Sequence, residues 1–292
     1  MATLTLTCDR TLATGLCFGE GPRWHDGQLW LSDMHAHQVI RVSPQGALQP
    51  EIEVENQPSG LGWLPDGSLL VVSMLDRRVL RWDGAALSLH ADLATLASWH
   101  CNDMVVDARG RAWVGNFGFD LHSGAQPTPA ELVCILPDGS ARVVAEDLMF
   151  PNGCVITPDG SRLIVAESFA RRLTAFDIDE RGNLSGRRLW AELPGGAVPD
   201  GICLDSGGGI WSASPTTSEC IRQEEGGLVT HRVELDQGAF ACMLGGTGSA
   251  DTPAGHSLFI LTAASSEPEA CRTERSGKIE VCRAPFGHAG LP

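Results

Sequence analysis

The 292-residue chain is 43% hydrophobic, enough for a sizeable core, and its 36 Asp and Glu against 21 Lys and Arg leave a net charge of -15. That balance offers no basic stripe to neutralise phosphates, which excludes a nucleic-acid partner, and it argues equally against an anionic membrane surface. No run approaches the roughly 20 apolar residues of a membrane helix.

The opening Met1 to Arg10 lacks the charged and apolar stretches of an export signal. Ten cysteines are present and none forms a CxxC pair, so a zinc ribbon or redox motif is not expected. The expectation is a cytoplasmic protein with reduced thiols.

In chain order, Leu4 to Cys8 alternates as a strand. Then a hairpin pattern begins: Glu20 to Trp24, a turn at Asp26-Gly27, and Leu29 to Leu31. It recurs at Ser59 to Trp63 with Asp66-Gly67, at Asn102 to Val106 with Gly110, and at Asn152 to Ile156 with Asp159-Gly160. Two further copies start at Asp200 and Phe240, the last carrying a longer insert before Leu258. Outer strands follow each hairpin, as in Gln38 to Val42 and Arg172 to Ile178, separated by turn residues such as Asp83-Gly84 and Pro137-Asp138-Gly139. The final Gly277 to Arg283 alternates like the first strand, so the two ends are expected to share one blade and leave no free edge.

Six units of about 40–50 residues, each built from short strands, predict an all-β fold: a six-bladed β-propeller with four-stranded antiparallel blades. It is expected as a single domain over residues 1–292, with very little helix. Two segments break the regularity. Phe117 to Glu131 is long and turn-rich and is expected over a channel mouth. Ala263 to Gly277 is charged and is expected to be exposed.

The repeat brings distant residues together. Equivalent strand starts read Glu20, Ser59, Asn102, Asn152, Asp200 and Phe240. If that strand is innermost, these side chains converge on one mouth of the channel. Five offer oxygen and two are carboxylates, a plausible seat for a hard cation. Asp103 and Cys101, one residue away, point to the opposite face by alternation. Trp30, Trp113 and Trp211 share a repeat position that reads as blade packing. No Ser-His-Asp order, nucleophile elbow or phosphate loop is present.

Three signatures, Gly19-Glu20-Gly21-Pro22 with Trp24, Pro151-Asn152-Gly153 and Pro199-Asp200-Gly201, together with Asn102-Asp103, resemble the senescence marker protein/regucalcin/gluconolactonase family of six-bladed propellers. The resemblance spans essentially the whole chain. It implies one divalent cation held by Glu20, Asn152 and Asp200, with calcium suiting the set best and magnesium, manganese, zinc or iron also able to fit. It implies Asn102 as a substrate or water contact and Asp200 as a general base as well as a ligand. His100 stands where sugar lactonases often carry Arg, Asn116 where they carry Thr, and Asp120 where some have an acidic lid residue. These three are candidate substrate contacts, though Phe117, Phe119 and Leu121 make the surroundings more apolar than a polyol site. The implied activity is metal-dependent hydrolysis of a small-molecule lactone. The open alternatives are another ester such as a phosphotriester, a non-catalytic calcium-binding or scaffolding propeller, and a metal-free condensing enzyme of the strictosidine synthase type, against which the intact cation set argues. Oligomeric state is not legible.

Overall fold

The structure is a computed structural model that describes residues 3–246 and 256–292. Most of the insert between Leu244 and Leu258 lies outside the described residues.

Six sheets are present among the described residues, each built on four antiparallel strands that follow the hairpin pattern of the sequence. The inner strands are Gly19–His25, Pro58–Trp63, Cys101–Val106, Pro151–Ile156, Ile202–Leu204 and Gly238–Gly245. Each packs beside the next, and the last beside the first, so they close a ring. The inner strands of blades three and four are buried at every position, as strands covered on both faces must be. Outer strands, such as Leu87–Asp92, are largely exposed, with only Ala91 of that strand buried.

The hydrophobic core is divided among the blade interfaces. One cluster joins Val39 and Ile52 of blade one to Leu61 and Val71 of blade two. Another joins Val105 and Trp113 of blade three to Cys154 and Val165 of blade four. The largest surrounds the sixth blade and includes Trp211. Trp113 and Trp211 are fully buried in these interfaces, as blade packing requires.

The two ends of the chain share blade six as expected, but through a later strand than the Leu4 to Cys8 stretch on which the expectation rested. Cys8–Leu16 pairs antiparallel with Gly277–Arg283 and becomes the outer strand of blade six. One feature was not expected: Leu4–Leu6 adds in parallel to Val229–Glu234, giving blade five a fifth strand. After Arg283 the chain crosses the far ends of two inner strands. Ala289 donates to the Leu204 carbonyl, and Leu291 exchanges backbone hydrogen bonds with Ile156.

Among the described residues helix is confined to single turns and Pro268–Glu274, within the segment expected to be only charged and exposed. Its Cys271 is buried, and the helix packs on the turn Met34–Ala36. No helix among the described residues is long and apolar enough to cross a membrane.

Candidate functional site

At the start of five of the inner strands the ladder slips. Register shifts fall between Glu20 and Arg23, Pro58 and Leu61, Cys101 and Met104, Pro151 and Cys154, and Ala239 and Ala241. In the fifth blade Asp200 precedes the strand, and its amide donates to the Ala213 carbonyl. A bulge of this kind bends the strand and re-aims a side chain. Glycine follows the bulged residue where neighbours crowd. A Cβ on Gly153 would lie 2.5 Å from the Ile202 amide nitrogen, and one on Gly60 2.4 Å from that of Met104. The inner strands therefore approach one another closely around the axis.

Glu20, Asn102, Asn152, Asp200 and Phe240 all open on one cavity of about 460 Å³ at this end of the channel. Ser59 is buried beside them and donates to Asn102 Oδ1 at 3.4 Å. Asn152 donates from Nδ2 to Ser168 Oγ at 3.2 Å, and Ser168 donates to the Pro199 carbonyl at 2.7 Å. Ser168 thereby ties blade four to the residue before Asp200.

The electrostatics are unusual for a bare protein. Burial, then the charges of Asp200 and Asp103, hold the Glu20 carboxyl well above its ordinary range. Burial pushes Asp200 up to about 8, against the opposing hydrogen bond from Asn152. The nearest buried cation is already engaged. Arg23 pairs with Asp103 at 2.6 Å and donates to the carbonyls of Pro22, Leu61 and Met104. Asp103 is thus a structural acceptor, as alternation predicted.

Among the described residues no three Asp, Glu, His or Cys side chains gather to hold a metal ion. The donor set here is two carboxylates and a carboxamide, all oxygen, and that set fits a hard dication. Two buried carboxyls, both raised by burial and Glu20 also by the charge of Asp200, are the arrangement a cation relieves. Asn102 Nδ2, buried and without a partner, is a donor left over for an oxygen of a bound molecule.

The other sequence candidates are placed differently. Asn116 is fully buried and does not line the cavity. Its amide accepts from Gly118 and donates to the Glu131 carbonyl, so it fixes the start of the lid. Asp120 accepts from Ser123 within the lid loop and is also absent from the cavity wall. His100 lies behind Phe117, with ring centroids 6.1 Å apart, and burial lowers its pKa. Cys101 is fully buried and its thiol is pushed up to about 12, which removes it as a nucleophile.

Sequence reasoning missed a second ring. The residue after the second strand lines the cavity in five blades: Met34, Met74, Phe117, Ser168 and Pro215. The repeat contained that signal, one strand further along than the position taken. The lid was foreseen correctly, since Phe117, Leu121 and His122 all reach the cavity.

Comparison with known proteins agrees with this architecture. The family model described as the SMP-30/Gluconolactonase/LRE-like region matches residues 18–264. The chain is 31% identical to pentonolactonase XacC of Haloferax volcanii over 71% of its own length and 70% of that protein's. It is 26% identical to the 6-deoxy-6-sulfogluconolactonase of Pseudomonas putida, over 74% of this chain and 75% of that one. The crystal structure of regucalcin from Agrobacterium tumefaciens, described as a calcium-binding protein, superimposes with a TM-score of 0.78 at 19% identity, covering 99% of both chains.

Proposed function

The chain belongs to the SMP-30/Gluconolactonase/LRE-like family, and from that premise we propose that it is a lactonase opening a small-molecule lactone at the axial cavity. The observation that carries this reading is the opening of Glu20, Asn102, Asn152 and Asp200 onto one cavity. Two relatives are named lactonases, which supports the reaction class.

In this reading Glu20, Asn152 and Asp200 hold one divalent cation, with calcium suiting the oxygen donors best. When bound, such a cation supplies Lewis-acid polarisation of a lactone carbonyl. Asn102 donates from Nδ2 to a substrate oxygen and orients the ring. Asp200 takes the proton of a water whose oxygen bonds to the carbonyl carbon. The ring C–O bond then breaks, the proton passes to the leaving ring oxygen, and a hydroxy acid departs. The phenyl rings at the mouth keep bulk water from the acyl centre. The ten cysteines, none in a CxxC pair, are in keeping with the cytoplasmic setting of this reading.

The test is lactone turnover measured with EDTA and with calcium, magnesium, manganese or zinc restored. Chelation is expected to abolish turnover and one cation to restore it. Glu20→Gln and Asp200→Asn are each expected to lower kcat by about 100-fold or more while the thermal melt persists. Turnover untouched by chelation, or by Asp200→Asn, would refute the mechanism.

A further inference from the structure

The ring of oxygens makes the floor of the cavity, and the walls are of another character. Four of the five second-ring residues are apolar: Met34, Met74, Phe117 and Pro215. Phe117 stacks on Phe150 at 4.5 Å, and Phe169 closes on Phe150 at 5.1 Å. Opposite them Phe18 meets Phe240 edge-on at 4.7 Å.

The polar side chains of the wall face their own chain. Ser168 donates to the Pro199 carbonyl at 2.7 Å, Arg171 to that of Ala197 at 3.2 Å, and Thr216 to that of Gly196 at 3.0 Å. His35 turns Nε2 to the Ser266 carbonyl at 3.4 Å, and His122 lies 4.0 Å from Glu267. Above the floor the groups left to pair with a substrate hydroxyl are few, chiefly His35 Nδ1, buried without a partner, and the terminal nitrogens of Arg171, against a wall that is otherwise mostly apolar. A hydroxyl buried there without a partner costs on the order of 1–3 kcal/mol. An apolar substituent in the same place gains from leaving water. A volume of about 460 Å³ holds a ring and one substituent of phenyl size.

Resting on the lactonase reading, we propose that the substrate is a lactone whose ring carries an apolar substituent, aryl or branched alkyl, rather than a polyhydroxylated sugar lactone. The floor takes the carbonyl and ring oxygen. The phenyl collar of Phe117, Phe150 and Phe169 takes the substituent.

The experiment compares a phenyl-substituted γ-lactone with a hydroxylated γ-lactone of the same ring, using the full chain with calcium. The phenyl lactone is expected to have kcat/KM at least about tenfold higher. Phe117→Ala is expected to reduce that ratio several-fold through KM. Because Phe117 is buried, Phe169→Ser supplies a second variant at a residue 45% exposed, where folding is undisturbed, with the same direction of change. A ratio favouring the hydroxylated lactone, or one unmoved by both variants, overturns the proposal. Calorimetry with the two corresponding lactams separates it from the reaction class. If neither lactone is opened but the phenyl lactam binds at least about tenfold tighter, the lactonase reading fails and the apolar-ligand proposal stands. Equal binding, binding that favours hydroxyls, or no binding of either lactam overturns the proposal itself.

Discussion

Phe150 and Gln57 occupy the same place in two blades, each just before a proline that leads to a ring residue. Both stand in the left-handed region, at φ 60° and φ 64°. For side chains of that size the conformation costs about 1–3 kcal/mol and persists only where surroundings over-determine it. At Phe150 the return is a ring facing the cavity and an amide turn that delivers Asn152. Glycine supplies the opposite device three residues on. Gly153 has an ordinary φ but no room for a Cβ, whereas Gly160, in the turn of the same hairpin, has φ 71° and open space. Gly153→Ala is therefore expected to destabilise the protein by roughly 1–3 kcal/mol or more, and to lower turnover because the displaced strands carry Asn152 and Asp200. Gly160→Ala is expected to cost only about 1 kcal/mol and leave turnover intact. Urea titration of both variants checks the contrast.

Among the elements, the turns after the second strands are the least regular and lie nearest the site. Met34–Ala36 and Ser168–Ala170 are single 3-10 turns, each closed by a left-handed residue, His37 or Arg171. The first of them packs on the helix Pro268–Glu274 and carries the buried His35. Burial pushes His35 down to about 4. A histidine held below its unfolded value of about 6.5 adds stability above that pH and loses it as the pH falls toward 4. The melting temperature is accordingly expected to decline between pH 6.5 and 4, with His35→Gln flattening part of that slope. An unchanged slope in the variant would count against His35 as the source.

These elements also mark where sequence was informative. Period-two alternation and the repeated Asp-Gly turns placed the inner strands, and with them Glu20, Asn102, Asn152 and Asp200. The same alternation sent Asp103 to the far side, where Arg23 holds it. It could not foresee that Asn116, the last residue of its strand, would spend its amide on Ser98, Gly118 and Glu131. That depends on the path of the lid, which no period encodes. The helix Pro268–Glu274, seven residues long, is too short to declare a 3.6-residue period. The parallel docking of Leu4–Leu6 is a tertiary event with no local signal. The acidic excess has a specific use in part. Asp66, Asp107, Asp138, Asp159, Asp179 and Asp205 each accept the amide two residues on and pin a hairpin turn.

At the scale of the molecule, ring closure rests on one seam. Removing residues 3–16 would strip the outer strand from blade six and the extra strand from blade five, baring the edge of Gly277–Arg283. The truncated protein is expected to lose its sharp melt and to associate through that edge, visible as rising light scattering. A truncation that stays monomeric with an unchanged melt would show that the seam is dispensable.

The partners across that seam, such as Cys8 and Cys282, lie 274 residues apart in the chain. During synthesis the first strand must therefore wait for almost the last before it finds its neighbour. Adjacent blades can form hairpin by hairpin meanwhile, but the circle stays open, and Glu20, Asn102, Asn152 and Asp200 come from blades one, three, four and five. Nascent chains should hence remain without activity until the seam is sealed, and folding should be slow for a protein of this size because so remote a pairing completes it.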